Sequence, residues 1–163
     1  MPSSRFKVSV TKDYLVFSSG HFITFDGDTC ERIHGHNYRV AVEVDGPLDV
    51  NAYVVDFIAL RDMTRAIVDE LDHRMLLPAD SPLIRVAAEG SNTVARYRDR
   101  FWSFPTEECV ILPLANTTAE LLADYIAKRL LKDMKGRGWS DPEAIRVEVE
   151  ECFGQSAEVE LTP

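Results

Sequence analysis

The four histidines of this 163-residue chain are few, and they lie in three short segments. Two of them, His34 and His36, flank a single glycine, and side chains two residues apart in a strand point to the same face. Both imidazoles therefore converge without further help from the fold, and His21, in a neighbouring segment, can complete a set of three. Neutral imidazole is a good zinc ligand, and three protein ligands leave a fourth position open, which is typical of catalytic zinc. The alternative is that these are ordinary buried or surface histidines.

Strands must position these histidines, and the alternation of apolar and polar residues predicts where they lie. Extended stretches are expected at Phe6–Val10 and Tyr14–Ser18, separated by a turn, and His21 follows the second. From His34 onward the even positions continue with Tyr38 and three valines, whereas the odd positions are mostly polar or charged. The histidine pair therefore shares the core face of this strand.

Two helices follow from a period near 3.6. Four apolar residues recur at helical spacing: Leu60, Met63, Ile67 and Leu71. Asp72 and His73 then lie at the C-terminal end of this first helix. Thr117 and Glu120 have the spacing of a capping box at the start of a second helix, and Gly136 is a plausible stop.

Glu151 ends the last predicted strand. Ile145, Val147 and Val149 share one face of that strand, and by parity Glu151 lies on the same apolar face. A carboxylate that has lost its water needs a partner or must take up a proton, which makes Glu151 a site candidate. The alternative is that the strand has already ended and Glu151 turns outward with the following loop.

The bulk properties favour a small-molecule partner. The chain has 18 Lys and Arg against 27 Asp and Glu, a formal charge of -9, which argues against a nucleic acid or an anionic membrane surface as the partner. Its three cysteines, Cys30, Cys109 and Cys152, are far apart and offer no disulfide framework, which suits a reducing cytoplasm and leaves Cys30 as a free thiol. No signal-like N-terminus and no membrane-length apolar run occur, so a soluble, unexported protein is expected.

Five motifs together resemble the 6-pyruvoyltetrahydropterin synthase and 6-carboxytetrahydropterin synthase family. In chain order they are Phe17-Ser18-Ser19-Gly20-His21, Cys30 through Tyr38, Leu71-Asp72-His73, Thr117-Thr118-Ala119-Glu120, and Val147-Glu148-Val149-Glu150-Glu151. The resemblance covers most of the chain. It implies an α+β tunnelling fold, in which an antiparallel β-sheet carries two antiparallel helices on one face. It also implies a homo-oligomeric β-barrel, with trimers stacking in pairs into a hexamer.

The resemblance assigns a metal centre and a catalytic thiol. Carried over position by position, the family's zinc ligands become His21, His34 and His36, and its thiol becomes Cys30. Zinc would draw electron density from the substrate hydroxyls, so that protons become removable near neutral pH. A thiol suits this task because a nearby cation lowers its pKa.

The resemblance also assigns proton-relay and substrate-binding residues. The family's relay pair becomes Asp72 and His73, which in family members comes from a neighbouring subunit, so the resemblance implies an active site that exists only in the oligomer. Its pterin-anchoring glutamate becomes Glu151, and the hydroxyl at the start of the second helix becomes Thr118.

The substrate implied by the resemblance is 7,8-dihydroneopterin triphosphate. Loss of triphosphate with rearrangement gives 6-pyruvoyltetrahydropterin, whereas further carbon-carbon cleavage with loss of acetaldehyde gives 6-carboxytetrahydropterin, a precursor of 7-deazapurines such as queuosine. The short spacing from Cys30 to the histidine pair is similar to that of the second group. The predicted activity is therefore a zinc-dependent carbon-oxygen and carbon-carbon lyase, 6-carboxytetrahydropterin synthase.

Three points stay open. Glu31 follows Cys30 directly, which resembles a folate-pathway variant that cleaves the side chain to a 6-hydroxymethylpterin; otherwise Glu31 is a surface residue. A single domain over residues 1–163 carries an extra hairpin-like insertion around 84–113, with strands expected at 93–104 and 109–112. Its arginines Arg96, Arg98 and Arg100, near Trp102, could reach a triphosphate or form a solvated strand face. An alternative function of another class, without catalysis, is an oligomer that binds zinc or pterin.

Overall fold

The computed structural model describes residues 4–139 and 142–163, and in this part of the chain eleven strands and two long helices are found. The strands are β1 (Phe6–His21), β2 (Thr24–Phe25), β3 (Thr29–Cys30), β4 (His34–Gly46), β5 (Arg74–Pro78), β6 (Arg85–Glu89), β7 (Asn92–Tyr97), β8 (Arg100–Pro105), β9 (Cys109–Leu112), β10 (Ala144–Cys152) and β11 (Gln155–Leu161). The helices are α1 (Phe57–Leu71) and α2 (Ala119–Gly136), and a 3₁₀ turn covers Thr106–Glu108.

Six strands form the main sheet in the order β11, β10, β4, β1, β5, β9. The first four are antiparallel to their neighbours, but β5 runs parallel to β1, and β9 runs parallel to β5. The expected purely antiparallel sheet is therefore wrong, and the sheet is mixed. Residue alternation reports which face of a strand is buried and carries no information on strand direction.

Strand β1 is one continuous strand, where a turn between two strands was predicted. Thr11 pairs with Ala41 of β4, and the next pair is Val16 with Arg39, so the pairing register shifts between them. The chain thus accommodates its extra residues in a β-bulge and continues to His21. The bulge keeps every second residue from Leu15 to His21 buried.

The two helices cover one face of the sheet and share a hydrophobic core with it. In α1 the predicted stripe is confirmed: Leu60, Met63, Ile67 and Leu71 are all buried. Helix α2 ends at Gly136 as predicted, but its N-cap is Thr118, whose hydroxyl accepts a hydrogen bond from the Leu121 N–H at 3.4 Å. The predicted capping role of Thr117 is wrong, because the Thr117 backbone is used elsewhere, as described below.

The insertion contains a three-stranded antiparallel sheet, β6, β7 and β8, which we call the insert sheet. The predicted hairpin of residues 93–104 with 109–112 is wrong, since β7 turns directly into β8 and β9 joins the main sheet beside β5. A second hydrophobic cluster lies between the insert sheet and the end of β1, and it includes Phe22, Ile84 and Tyr97. No helix in the described part of the chain is long and apolar enough to cross a membrane.

Candidate metal centre and its surroundings

Three histidines converge at the end of β1 and the start of β4. His21 is the direct cross-strand partner of His34, and His36 is paired with Ser19 two residues further along. Because strand side chains alternate, His34 and His36 lie on the same face as His21. Their potential ligand atoms all lie within 4.8 Å of one another. This three-histidine cluster is the group that the His-Gly-His pattern predicted.

Glycine lets the two strands approach closely behind the cluster. Gly20 of β1 pairs with Gly35 of β4, and both lie on the sheet face opposite the imidazoles. A Cβ atom on Gly35 would stand 3.0 Å from the carbonyl oxygen of Ser19, which is tighter than nearly all contacts of this kind.

Backbone carbonyls fix which ring nitrogen of two histidines faces the cluster. Nδ1 of His21 donates a hydrogen bond to the carbonyl oxygen of Thr117 at 2.8 Å, and Nδ1 of His34 donates to that of Arg32 at 3.0 Å. The proton of each neutral ring therefore lies on Nδ1, and Nε2 keeps its lone pair. Carbonyls that accept from the far ring nitrogen in this way orient metal-binding histidines.

Two of the Nε2 atoms are positioned to bind a cation. In the described part of the chain, Nε2 of His21 and Nε2 of His36 are buried without a hydrogen-bond partner. Oε1 of Glu151 lies 3.4 Å from each of them. Burial lowers the pKa of His21, so its ring is neutral, and its lone pair faces a carboxylate oxygen. A divalent cation removes this repulsion, and the residues present fit zinc, which prefers such nitrogen and oxygen donors.

Glu151 turns inward, as strand parity predicted. The pairing of β10 with β11 shifts register between Glu150 and Cys152, which places Glu151 at a β-bulge near the end of the strand. The hydroxyl of Tyr38 lies 3.5 Å from Oε1 of Glu151, and the Tyr38 ring stacks on Phe17 at a centroid distance of 4.7 Å. The alternative, an outward Glu151 in a loop, is wrong.

A cavity of about 340 Å³ opens beside Glu151 and is also lined by Thr118. These are the two residues expected to bind substrate. The Thr118 hydroxyl is engaged as the cap of α2, accepting from Leu121, although its own proton stays available for a ligand. Thr117 contributes its carbonyl to His21, a link that sequence reasoning missed because a backbone carbonyl has no residue signature.

Cys30 ends β3, and Glu31 begins the short loop between β3 and β4. The Glu31 carboxylate accepts a hydrogen bond from the Ile23 N–H at 3.3 Å and lies 3.7 Å from Nδ1 of His34. The Cys30 thiol lies 3.5 Å from the Glu31 carbonyl oxygen. Burial raises the pKa of Cys30, the guanidinium of Arg100 opposes the rise, and the Glu31 carboxylate adds to it. In the metal-free chain this thiol is protonated at neutral pH.

Asp72 and His73 form a carboxylate–imidazole pair at the end of α1. Nδ1 of His73 lies 2.9 Å from the Asp72 carboxylate, which also accepts a hydrogen bond from the Ser18 N–H at 2.7 Å. Burial opposes ionisation of Asp72, but its hydrogen bonds from Ser18 and His73 lower the pKa overall. His73 has a φ of 55°, in the left-handed region, and its side chain is 82% exposed.

The pair lies on the other side of β1 from the metal centre. His73 lines an open cleft of about 500 Å³ together with Ser18 and Asn37, whose side chains point away from the face that holds His21, and His36 of the cluster borders the same cleft. Within residues 4–139 and 142–163, no hydrogen bond or ring contact joins the pair to the three-histidine cluster. One chain therefore does not bring all of the predicted catalytic residues together.

The sequence of residues 9–162 matches the model of one protein family, 6-pyruvoyl tetrahydropterin synthase. This chain belongs to that family. A curated relative from Methanocaldococcus jannaschii, a putative 6-carboxy-5,6,7,8-tetrahydropterin synthase, is 35% identical over 144 residues, which cover 88% of each chain. A relative of the same name from Pyrococcus horikoshii is 33% identical over 144 residues, covering 83% of this chain and 85% of its own.

A solved family member shares the fold over its full length. The 6-pyruvoyltetrahydropterin synthase of Plasmodium vivax superposes with a TM-score of 0.91 at 27% identity, covering 99% of this chain and 100% of its own. A variant of that enzyme, in which a glutamate described as a catalytic residue is replaced by alanine, superposes equally well. The main sheet, the two helices and the insert sheet are thus an arrangement found within the family.

The arginines of the insert sheet of this family member have separate contacts. Arg96 pairs with Glu89 at 2.9 Å on the exposed surface, and Arg98 pairs with Asp28. Arg100 instead donates to the carbonyl oxygens of Cys30 and Glu31 at 2.8 and 2.9 Å. The solvated-face interpretation holds for Arg96 and is wrong for Arg100, which contacts the loop that carries the candidate bases.

Proposed function

We propose that this family member is a zinc-dependent 6-carboxytetrahydropterin synthase that acts on 7,8-dihydroneopterin triphosphate. The observation that carries the proposal is the pair of buried, unpartnered Nε2 atoms of His21 and His36 facing the Glu151 carboxylate. The names of the archaeal relatives support the choice of product. The reaction takes up one water and releases triphosphate and acetaldehyde. The proposal includes a cytoplasmic location and a place in the supply of 7-deazapurines such as queuosine.

In this proposal the chain divides binding and proton transfer among its residues. Zinc held by His21, His34 and His36 would act as a Lewis acid on the side-chain hydroxyls of the substrate. Cys30 accepts a proton from the side chain, as the thiolate. The carboxylate of Glu151 accepts hydrogen bonds from the pterin 2-amino and N3 groups, a pairing with two parallel donors. This use of Glu151 requires the pterin to enter the cavity that Glu151 and Thr118 line.

The Asp72–His73 pair completes the site in an oligomer. Its imidazole is exposed, its tautomer is fixed by Asp72, and within the described residues it makes no hydrogen bond or ring contact with the three-histidine cluster of its own chain. We propose that His73 exchanges protons with substrate bound to an adjacent subunit, in a hexamer built from two trimers. A monomer is then inactive although its metal centre is intact.

Glu31 supports a second candidate function, side-chain cleavage to 6-hydroxymethyldihydropterin. Its carboxylate lies 3.7 Å from His34, on the same short segment as Cys30. A carboxylate has a reference pKa of about 4.3 and is a weak base at pH 7, so this route is expected to be the slower one.

Product analysis tests both candidates. The zinc-loaded protein is incubated with 7,8-dihydroneopterin triphosphate, and the pterins and acetaldehyde are measured by mass spectrometry. The proposal requires 6-carboxytetrahydropterin with one acetaldehyde for each triphosphate released. A 6-pyruvoyltetrahydropterin product without acetaldehyde would contradict it.

Variants of the two candidate bases, Cys30 and Glu31, show which product depends on which residue. Hydroxymethyldihydropterin that persists in Cys30→Ala and disappears in Glu31→Ala would establish the second function. If the zinc-loaded hexamer binds pterin and forms no product above the no-enzyme control, the chain is a non-catalytic zinc and pterin binder.

A further inference from the structure

The insert sheet packs against the segment that carries Cys30. Trp102 of β8 stacks on Phe22 with ring centroids 4.4 Å apart, and Cys30 is packed against the same hydrophobic cluster. The hydroxyl of Tyr97 also donates to the carbonyl oxygen of Asp28. The insert sheet is therefore joined to the Cys30 segment by apolar and polar contacts.

Arg100 makes the most specific of these contacts. Its Nη1 donates to the carbonyl oxygen of Cys30 at 2.8 Å and its Nη2 to that of Glu31 at 2.9 Å. Successive carbonyls of a regular strand point in opposite directions, so one guanidinium reaches both only where the backbone turns. The planar fork of arginine suits two such acceptors, and a lysine ammonium does not reproduce it.

The guanidinium itself is held in place. Its carbon atom lies 4.7 Å from the centroid of the Trp102 ring, in a cation–π contact, and Trp102 is fixed by its stacking on Phe22. Through Arg100, the insert sheet therefore fixes the position of the peptide carbonyls of Cys30 and Glu31.

Glu31 is held by three hydrogen bonds, one of which comes from Arg100. Its N–H donates to the Ile23 carbonyl oxygen at 2.9 Å, its carboxylate accepts from the Ile23 N–H, and its carbonyl accepts from Arg100. Loss of the Arg100 contact frees the carbonyl end of this residue and the adjoining peptide of Cys30. Glu31 then loses its fixed orientation beside His34, and the Cys30 thiol loses the fixed peptide that carries it.

We propose that Arg100 is a positioning residue, which holds Cys30 and Glu31 in the orientation that proton transfer requires. The insert sheet is then the platform that carries this arginine. The expected effect of Arg100 on kcat rests on the proposed function, whereas its expected effect on the backbone of Cys30 and Glu31 does not. Misplacing a catalytic group by about 1 Å can cost about a hundredfold in rate, so a small backbone shift is sufficient.

The test compares Arg100→Lys with Arg96→Lys, a matched control on the same sheet that pairs only with residues of the insert. Lysine keeps the positive charge near Cys30 and removes the fork. We expect kcat of Arg100→Lys to fall about ten- to a hundredfold with KM and zinc content near those of the wild type. Hydrogen exchange of the amides in residues 29–32 should accelerate in Arg100→Lys, and Arg96→Lys should match the wild type in every measurement.

Two outcomes would overturn the inference. One is that Arg100→Lys matches Arg96→Lys in both exchange and kcat. The other is that zinc content and melting temperature fall together with kcat, which indicates general structural support. If Arg100→Lys does not fold, Arg100→Gln, which retains donors for one carbonyl, is measured in the same way. If the wild type does not convert the pterin triphosphate, the proposed function fails, and the exchange comparison alone decides the role of Arg100.

Discussion

Oε1 of Glu151 lies 3.4 Å from Nε2 of His21, the nitrogen that carries no proton in the neutral ring. The ring proton of His21 is committed to a backbone carbonyl, and the carboxylate is an acceptor. A bound cation would stabilise an acceptor pair at this distance, and it would link β10 to β1.

Replacing Glu151 by glutamine should weaken both metal and pterin binding. The amide removes the negative charge beside His21 and His36 and offers a donor where the pterin presents donors. We expect zinc affinity to fall about ten- to a hundredfold, with full occupancy at saturating zinc. Metal competition and pterin titration measure the two effects. Glu150→Gln, whose side chain faces Arg39 on the opposite side, is the control and should leave both affinities unchanged.

Removing a histidine of the cluster should remove the metal, whereas removing the exposed histidine should not. His34→Ala loses one of three nitrogen ligands, so most bound zinc should be lost on dialysis. His73→Ala should retain zinc and lose turnover, since its ring lies outside the cluster. Metal analysis of both purified variants is the measurement, and equal retention in the two would contradict the ligand assignment.

Replacing Cys30 by alanine should leave folding and zinc binding intact. Turnover should fall by about two to four orders of magnitude, the usual range for loss of a general base. Because burial raises the pKa of this thiol, alkylation of the metal-free protein should have its midpoint above the ordinary value of about 8.5. Near-normal turnover of the variant at pH 7 would exclude Cys30 as the base.

Asp72 should stabilise the fold in a pH-dependent way. Its folded pKa lies below the unfolded value of about 3.9, so the ionised carboxylate stabilises the fold above that pH. This contribution is lost as the pH falls through the folded pKa. Asp72→Asn should therefore lower the free energy of unfolding at pH 7 by about 1 kcal/mol.

Urea unfolding measures this difference at neutral and acidic pH. The gap between the wild type and Asp72→Asn should close in acid, where both side chains are neutral. Asp69→Asn, on the exposed face of the same helix beside Arg65, is the control and should change stability little. A gap that is independent of pH would show that Asp72 does not act through its charge.

Much of the three-histidine cluster follows from the sequence because it depends on local periodicity. A period of two places His34 and His36 on one face, and the same period turns Glu151 inward. The apolar stripe of α1 is equally local, and its four predicted residues are all buried, although the prediction missed the buried Val68. These features need no knowledge of which segments are neighbours in space.

The remainder depends on contacts between distant segments. The parallel pairing of β5 with β1, the carbonyl of Thr117 that receives His21, and the fork of Arg100 all join residues whose side-chain patterns carry no sign of one another. The bulge in β1 was mistaken for a turn, because polar residues at 11–13 occur in both. The separation of His73 from the cluster is likewise visible only once the chain is folded.

The glycine between the two cluster histidines restricts which residues the middle of the motif can hold. Gly35 has ordinary backbone angles available to any residue, so what excludes a side chain is distance: a methyl group there meets the Ser19 carbonyl oxygen at 3.0 Å. Alanine would force β1 and β4 apart by a few tenths of an ångström, and His21 and His34 sit on opposite sides of that gap. The glycine of His-Gly-His therefore lets β1 and β4 pair closely, and this close pairing sets the distance between His21 and His34 across the two strands.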